Sequence, residues 1–305
     1  MLTTGPLRPI YICGSTATGK TAVSIALANL IGGEIVNGDA YQVYSDIDTI
    51  SAAPSKEEQF LAPHHLFGVL KPDQEFDAQT YLNLVKPVIA EIQQRKRIPI
   101  IVGGSGMYLK FLTHGPSNLP AGDDALREQL ELKSDQELVE QFTELDPVGA
   151  SETNLKNRRY VIRALEICLL SGQRMSQLKT DWKNDNSEKE RHLRGYVLNW
   201  DREVLRERIL LRTKIMLEQG AVEEVCAVEQ LSATCIKAIG VRDILAFKSG
   251  EITEARLEEL IFFATCQYAK RQNTWFSKET WLESIPVTSS SNPEHIAQGI
   301  ADRLK

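Results

Sequence analysis

The sequence predicts an α/β fold in which a parallel sheet carries a helical insertion, and three observations lead to this class. Strand-like and helical apolar runs alternate over residues 10–112. The run Ile98–Val102 shows no polar alternation, which is typical of a strand buried on both faces. Only helices and polar loops are predicted between the Pro116–Pro120 segment and about His192. We therefore predict a core domain of residues 1–120 and 193–305 and a helical insertion domain of residues 121–192.

The first predicted strand runs into a glycine-rich loop. Ile10–Cys13 is a short apolar run, and the loop G-S-T-A-T-G-K-T precedes the helical run Ala22–Ile31. This loop matches the P-loop pattern G-x-x-x-x-G-K-[ST] at every required position, so the core is predicted to be P-loop NTPase-like. Its backbone N–H groups would bind phosphate oxygens at a helix N-terminus. Lys20 would reach the terminal phosphates, and the Thr21 hydroxyl would bind Mg²⁺. The predicted phosphate-binding residues are Gly14, Ser15, Thr16, Ala17, Thr18, Gly19, Lys20 and Thr21.

The next two strands end beside the same phosphate site. Asp39 follows the second strand, Glu34–Asn37, and could hold a metal-bound water, bind a substrate or accept a proton. The third strand ends in Gly103–Gly106 and not in a Walker-B aspartate. Glycines admit a ligand close to the backbone, and the Ser105 hydroxyl can donate to it. This pattern favours transfer of a small bound group over hydrolysis-driven work.

The remaining elements are predicted from periodicity and from helix-capping residues. In chain order they are a loop-rich stretch over Ser51–Pro72, a helix over Gln79–Arg95 interrupted by Pro87, a helix over Tyr160–Leu170, a mobile charged linker over Lys183–Arg191, a strand over Arg194–Trp200, a helix capped by Asp201 and ending at Gln219, and a helix over Thr253–Trp275.

Arginines mark two further candidate sites. Among the four arginines of the helix after Trp200, Arg212 is expected to close on a pyrophosphate, which a guanidinium binds bidentately. Arg159 and Arg163 lie four residues apart and share a helix face that suits RNA phosphates or stacking on bases, and an ordinary solvated face remains an alternative. Ile162, Leu165 and Leu169 are predicted to pack inward from that helix.

Composition restricts the class of protein. The net charge is −6, yet residues 154–214 hold 15 Lys/Arg against 8 Asp/Glu, a local charge of +7 that could bind a phosphate backbone. Five scattered cysteines without a C-x-x-C pair fit reduced thiols, so we expect a cytoplasmic protein. Met1–Pro9 shows no signal-peptide pattern, and no apolar stretch is long enough for a membrane span.

Seven motifs in order resemble the tRNA dimethylallyltransferases, the tRNA isopentenyltransferase family. The resemblance covers about Ile10 to Lys278. The motifs are the P-loop, N-G-D-A-Y-Q-V-Y at Asn37–Tyr44, A-P-H-H-L-F at Ala62–Phe67, V-G-G-S-G-M-Y at Val102–Tyr108, R-R-Y-V-I-R-A-L-E-I at Arg158–Ile167, A-I-G-V-R at Ala238–Arg242 and Q-Y-A-K-R-Q-N-T-W-F at Gln267–Phe276.

The resemblance implies transfer of a dimethylallyl group from dimethylallyl diphosphate to N6 of the adenosine 3′-adjacent to the anticodon in tRNA. Asp39 matches the general base, Ser105 stands where the family usually has Thr and would keep a hydroxyl beside the transfer centre, and Mg²⁺ is implied as cofactor. The P-loop would then hold a diphosphate leaving group and not ATP. We expect a monomer that binds no membrane. The residues that the resemblance assigns to tRNA are Asp39, Ala40, Tyr41, Gln42, Ser105, Arg127, Arg159 and Arg163.

Several positions depart from the family pattern. Ser15 and Thr18 replace the usual Pro and Ser, which are mild changes, whereas Ala40 replaces Ser. Basic residues are lost at Ala53, Cys266 and Ser277, which bears on tRNA affinity more than on transfer. Two alternative functions stay open at this point: a P-loop kinase of a small metabolite, and a prenyltransferase acting on free AMP or ADP. The basic segment and the Arg159/Arg163 pair favour tRNA.

Overall fold

The computed structural model describes residues 7–116 and 119–304. The described chain divides into two compact units. The core unit consists of the residues up to Thr113 together with those from Leu193 onward, and the insertion unit consists of those between His114 and His192. The predicted boundary lay at residue 121, and Ser117 and Asn118 of the predicted junction lie outside the described residues, as do Met1–Pro6 of the segment searched for a signal peptide.

A single parallel sheet organises the core unit, which confirms the predicted fold class. The strand order is β3-β2-β4-β1-β5-β6, and every neighbouring pair runs parallel. All carboxyl ends therefore meet at one edge, where α/β proteins bind ligands. The strands are β1 (Ile10–Gly14), β2 (Gly33–Asn37), β3 (His64–His65), β4 (Ile98–Gly103), β5 (Arg194–Trp200) and β6 (Leu282–Val287).

Helices cover both faces of this sheet. Residues that alternate along a strand point to opposite faces, and because both sets are apolar, both faces need a covering layer. Ile10 and Ile12 belong to one apolar cluster, and Tyr11 and Cys13 belong to the other. The helices of the core unit are α1 (Lys20–Ile31), α2 (Asp48–Ser51), α3 (Lys56–Leu61), α4 (Ala78–Gln94), α5 (Gly106–His114, ending one residue beyond it), α11 (Arg202–Glu218), α12 (Ala221–Ala227), α13 (Val241–Lys248), α14 (Glu254–Phe276) and α15 (Pro293–Arg303), with a 3-10 turn at Cys235–Lys237.

The insertion unit is entirely helical. Its apolar core forms around Leu138, Phe142, Val161 and Leu165. Asp146 is fully buried and accepts hydrogen bonds from the Gly149 amide and from the amide and hydroxyl of Ser176, at 2.7–2.8 Å. Its helices are α6 (Asp124–Glu131), α7 (Asp135–Leu145), α8 (Pro147–Glu152), α9 (Arg158–Ser171) and α10 (Met175–Glu190).

Two segments predicted to be irregular are helical. Ser51–Pro72 contains α3, whose capping box has the Ser55 hydroxyl accepting from the Glu58 amide and the Glu58 carboxylate accepting from the Ser55 amide. The predicted mobile linker Lys183–Arg191 is wrong, because helix α10 continues to Glu190. Asn186 supports its last turns by donating to the Trp182 carbonyl at 2.8 Å.

Two predictions about helix interiors are also wrong. Helix α4 continues through Pro87 instead of being interrupted there. Leu169, expected to pack inward, is 41% exposed, because the buried face of α9 reaches its end at Cys168. None of the helices within the described ranges combines the length and apolar content that a membrane span requires.

Candidate active site

The P-loop connects β1 to α1 and is shaped by residues in left-handed conformations. Gly19 adopts φ 85°, and Ala17 adopts φ 63°. A side chain at Gly14 would place its Cβ 2.9 Å from the Thr18 hydroxyl oxygen. That hydroxyl donates to the Ser15 carbonyl at 2.8 Å, which closes the turn from inside. The loop backbone thus curls around the start of α1 as phosphate binding requires.

Lys20 lies at the centre of this curl. Its ammonium donates to the Gly14 carbonyl at 3.0 Å and to the Ser15 carbonyl at 2.8 Å. Burial lowers the pKa of Lys20 to about 8, while the nearby Asp39 carboxylate acts in the opposite direction. A half-buried cation is therefore available to an incoming anion, whose charge would compensate for the hydration that burial removes.

Two side chains from the second half of the chain donate hydrogen bonds to carbonyls of the P-loop. The indole N–H of Trp200 donates to the Thr18 carbonyl at 3.0 Å, and Arg208 Nε donates to the Ala17 carbonyl at 2.9 Å. The Arg208 guanidinium also lies 4.3 Å from the centroid of the Trp200 ring, a cation–π contact. Arg208 and Trp200 therefore brace the loop and each other.

Asp39 lies in a tight polar turn at the carboxyl end of β2. The Asn37 side chain accepts from the Asp39 amide at 2.7 Å, and Asp39 Oδ1 accepts from the Tyr41 amide at 3.0 Å. The Ser105 hydroxyl accepts from the Ala40 amide at 2.9 Å. These bonds fix the direction in which the carboxylate faces.

Arg212 and Tyr268 complete the charged part of the site. Burial lowers the pKa of Arg212 to about 10, against the effect of Asp39, so the guanidinium stays protonated at neutral pH. Burial raises the pKa of the Tyr268 hydroxyl, and the Asp39 charge adds to that effect, so Tyr268 is a neutral donor.

A cavity of about 430 Å³ joins these groups. Leu211, Ile215 and Ile261 supply apolar walls, and Arg212, Asp39 and Tyr268 supply polar ones. The predicted site residues that line the cavity are Thr16, Ala17, Thr18, Gly19, Lys20, Thr21, Asp39, Tyr41, Gln42 and Arg212.

The other predicted core residues, Gly14, Ser15, Ala40 and Ser105, do not line the cavity. Ser105 is 9% exposed, and its hydroxyl is engaged by the Ala40 amide. The Nε2 group of Gln42 is also engaged, because it donates to the Ala52 carbonyl at 2.8 Å. Ser105 thus supports the turn that carries Asp39 through its bond with the Ala40 amide.

Three residues of the site carried no predicted role. Trp200 was identified only as the end of a strand, while Tyr268 and Gln272 lay within the last motif. Tyr268 and Gln272 are one helical turn apart on α14, and both line the cavity. Their spacing of four residues was the available signal, because it places two polar side chains on one helix face.

The predicted tRNA-binding arginines of the insertion unit differ in their surroundings. Arg127 and Arg163 both pair with Glu166, which is fully buried, at 3.0 and 3.3 Å. Arg163 also donates to the Pro120 carbonyl at 2.6 Å. Arg159 is exposed, and its helix begins at Arg158, which pairs with Asp135. Arg159 is therefore the more accessible cation of the predicted pair.

The cavity residues fit a divalent cation that is shared with a phosphate ligand. Thr21 offers a hydroxyl, and the Asp39 carboxylate, which lines the same cavity, could accept from a metal-bound water. Mg²⁺ usually takes one or two protein oxygens and completes its shell with phosphate and water. The donor set here is of that kind.

Fold and site together define a P-loop α/β protein in which a carboxylate shares one cavity with the P-loop and two half-buried cations. The family model described as IPP transferase matches residues 42–279, and the chain belongs to that family. The resemblance predicted from seven motifs is thereby confirmed.

Relatives and solved structures agree over nearly the whole chain. The chain is 37% identical over 295 residues to the tRNA dimethylallyltransferase of Akkermansia muciniphila, covering 97% of this chain and 99% of the relative. It is 36% identical over 293 residues to that of Allorhizobium ampelinum, covering 92% and 96%. The crystal structure of the Bacillus halodurans tRNA isopentenylpyrophosphate transferase matches with a TM-score of 0.69 at 29% identity, over 98% of this chain and 97% of that one.

Proposed function

We propose that this protein transfers a dimethylallyl group from dimethylallyl diphosphate to N6 of the adenosine 3′-adjacent to the anticodon in tRNA, releasing pyrophosphate. One observation carries the proposal: Asp39, Lys20 and Arg212 face a single cavity at the mouth of the P-loop. A proton acceptor and two cations for a leaving anion are the groups that this transfer needs. Family membership supports the same reaction.

The donor side of the reaction depends on charge neutralisation. The bond between the allylic carbon and the diphosphate oxygen breaks, and the electron pair leaves with the diphosphate. Lys20 and Arg212 stabilise the charge that develops there, together with N–H groups of the P-loop. Both cations are half-buried in the cavity wall, and burial lowers the pKa of each, so part of their hydration is lost before the donor arrives.

The acceptor side depends on Asp39. The exocyclic amine of adenine is a weak nucleophile, because its lone pair is delocalised into the ring. As its nitrogen forms the bond to the allylic carbon it loses a proton, which Asp39 accepts. The target base has to leave its stack to reach the cavity, where Tyr41 and Gln42 line the wall.

We further propose Mg²⁺ as the cofactor, held by the Thr21 hydroxyl together with phosphate oxygens of the donor, which leaves the Asp39 carboxylate free to accept the proton. When bound, the ion neutralises charge on the diphosphate. Thr21 orients the phosphate end of the donor from the start of α1.

For tRNA, we propose contacts from the Asp39–Gln42 segment and, within the insertion unit, from Arg159, Arg163 and Arg127. Arg159 supports this part of the proposal because it is exposed and begins a helix rich in arginine. The described cysteines are all unpaired, which supports a cytoplasmic location. A monomeric state stays a prediction.

One assay separates the proposed reaction from its alternatives. The protein is incubated with labelled dimethylallyl diphosphate and Mg²⁺, and it is offered either an anticodon stem-loop RNA or AMP. We expect label on the RNA alone and no transfer after chelation with EDTA. Label on AMP would indicate the free-nucleotide enzyme. No transfer to either acceptor, with ATP consumed on a small metabolite, would indicate a kinase.

A further inference from the structure

Gln272 connects two loops of the active site through a single buried amide. It lies on α14 and is 5% exposed. Its Oε1 accepts from the Thr16 amide of the P-loop at 2.9 Å, and its Nε2 donates to the Gly104 carbonyl at 3.0 Å. The P-loop and the loop that follows β4 are far apart in sequence, and this side chain joins them directly.

The contact leaves no space for a side chain at position 104. A Cβ on Gly104 would lie 2.2 Å from Gln272 Nε2 and 3.1 Å from the Gly14 carbonyl oxygen. The glycine is therefore required by the close approach of the Gln272 amide. This explains one of the glycines that end β4 without invoking a ligand.

The connection continues to the proton acceptor. Ser105 follows Gly104, and its hydroxyl accepts from the Ala40 amide at 2.9 Å. Ala40 follows Asp39, whose Oδ1 accepts from the Tyr41 amide at 3.0 Å. A run of hydrogen bonds and peptide units thus leads from the phosphate cradle through Gln272 to Asp39.

We propose that Gln272 is a positioning residue that sets the separation between the diphosphate cradle and the Asp39 carboxylate. The inference rests on the proposed function, in which the leaving group and the proton acceptor must be held at matched positions. An amide suits this task because it both accepts and donates, so it satisfies Thr16 and Gly104 together. A displacement of about 1 Å between reacting groups can cost about 100-fold in rate.

The first test replaces the amide with an apolar side chain of the same length, Gln272→Met. Gln267→Met is the matched control, because Gln267 is an exposed glutamine on the same helix. Single-turnover transfer to the stem-loop RNA is measured at saturating donor, together with the dissociation constants for donor and RNA. We expect Gln272→Met to lower the transfer rate about 10- to 100-fold, with both dissociation constants within about threefold of wild type.

The second test uses coupling and rescue. Ser105→Ala removes the next link, so its effect and that of Gln272→Met should not add in the double variant. Gln272→Glu keeps an oxygen that can accept from the Thr16 amide. It can donate to the Gly104 carbonyl only when its carboxyl group is protonated. Its rate relative to wild type should therefore rise as pH falls from 8 to 6, since burial favours the neutral carboxyl.

These outcomes distinguish the inference from the reaction on which it rests. If the wild-type protein transfers no label to RNA, the proposed function fails. If it does transfer and Gln272→Met keeps the wild-type single-turnover rate, the positioning role alone is overturned. The same holds if the loss appears only in donor affinity, or if the effects of the Ser105 and Gln272 variants simply add. Should Gln272→Met not fold, the pH dependence of Gln272→Glu decides.

Discussion

The guanidinium of Arg208 lies 4.3 Å from the centroid of the Trp200 ring, and each side chain donates a hydrogen bond to a different P-loop carbonyl. The loop is therefore held by side chains from α11 and from the end of β5. The shape of the P-loop thus depends on residues almost two hundred positions away.

Removing the indole N–H tests this bracing. Trp200→Phe leaves the Thr18 carbonyl without its 3.0 Å donor but keeps a ring under Arg208. We expect a loss of about 1 kcal/mol in the free energy of unfolding, measured by denaturant titration. Calorimetry should show pyrophosphate binding weakened about three- to tenfold. Unchanged stability and affinity would mean that the loop holds its shape unaided.

Asp39→Asn should abolish proton acceptance while keeping the shape of the turn. The amide can still accept from Tyr41, so we expect donor and RNA affinities near those of wild type. The transfer rate should fall by about 100- to 10,000-fold. Asp46→Asn is the control, since Asp46 is an exposed aspartate. Transfer by Asp39→Asn at more than a tenth of the wild-type rate would remove Asp39 as the base.

The depressed pKa of Lys20 predicts a pH dependence of donor binding. Burial lowers that pKa to about 8, so the cation is present below this pH and is lost as pH rises through it. The apparent kcat/KM for donor should therefore decline above about pH 8, by up to tenfold per pH unit. Lys20→Met should bind weakly and lack this inflection. The same inflection in Lys20→Met would assign it to another group.

The contribution of Lys20 to protein stability changes with pH in the opposite direction to its contribution to donor binding. Because the pKa of Lys20 is lower in the folded protein than the ordinary value of 10.5, folding disfavours its charged form. This group therefore contributes increasing stability as pH rises from about 8 toward 10.5. In the absence of ligand, Lys20→Met should be at least as stable as wild type in thermal unfolding at pH 7. A lower melting temperature would show that the bonds from Lys20 to the loop carbonyls outweigh the burial cost.

Arg212 is expected to act on the leaving group as a planar, charged donor. Arg212→Lys keeps the charge but not the bidentate geometry, and we expect about a tenfold loss in kcat/KM for donor. Arg212→Ala should lower kcat/KM for donor by a further factor of about 10 to 100 relative to Arg212→Lys. Arg202→Lys, an exposed arginine of the same helix, is the control. Equal activity of Arg212→Lys and wild type would limit the role of Arg212 to its net charge.

Arg159 and Arg163 are both proposed to contact RNA, but only the loss of Arg163 should also lower protein stability. Arg159→Ala should lower RNA affinity and reduce the salt dependence of log K by about one unit, without changing stability. Arg163→Ala should also destabilise the protein by about 1–3 kcal/mol, because it removes one partner of the buried Glu166. Filter binding across a salt series and thermal unfolding measure the two effects. An unchanged salt slope for Arg159→Ala would exclude a phosphate contact.

Much of the fold could be predicted because local patterns and tertiary structure agree. Some signals span only a few residues, such as those of the P-loop, the strand Ile98–Val102 and the N-cap Asp201. The structure confirms the strand and the helix that Asp201 caps, and the P-loop joins β1 to α1. Elements without a sequence prediction include β3, α3, the strand β6 and the last helix, α15. A two-residue strand such as β3 has no periodicity of its own and is defined only by its pairing with β2.

The candidate site was less accessible to prediction wherever a role depends on a distant partner. The positions of Asp39 and Lys20 could be predicted from the sequence. Lys20 belongs to the P-loop motif, and Asp39 follows a strand whose carboxyl end lies at the ligand-binding edge of the sheet. A place for Ser105 at the transfer centre stays a prediction, and its hydroxyl accepts from the Ala40 amide, a contact across 65 positions. The spacing of Gln272 indicates only its helix face, and neither Gln272 nor Trp200 carries a local sign of its bond to the P-loop. Such roles arise from which elements become neighbours, and only the folded chain shows them.

The placement of the cysteines makes it possible to follow the opening of each unit by thiol labelling. Cys168 is 6% exposed and is the one cysteine between residues 114 and 192, whereas Cys13 is fully buried in β1. Burial raises the pKa of both thiols, so neither reacts until its surroundings open. Two variants, one that retains only Cys168 and one that retains only Cys13, would report separately how diphosphate or RNA changes the opening of the insertion unit and of the core unit.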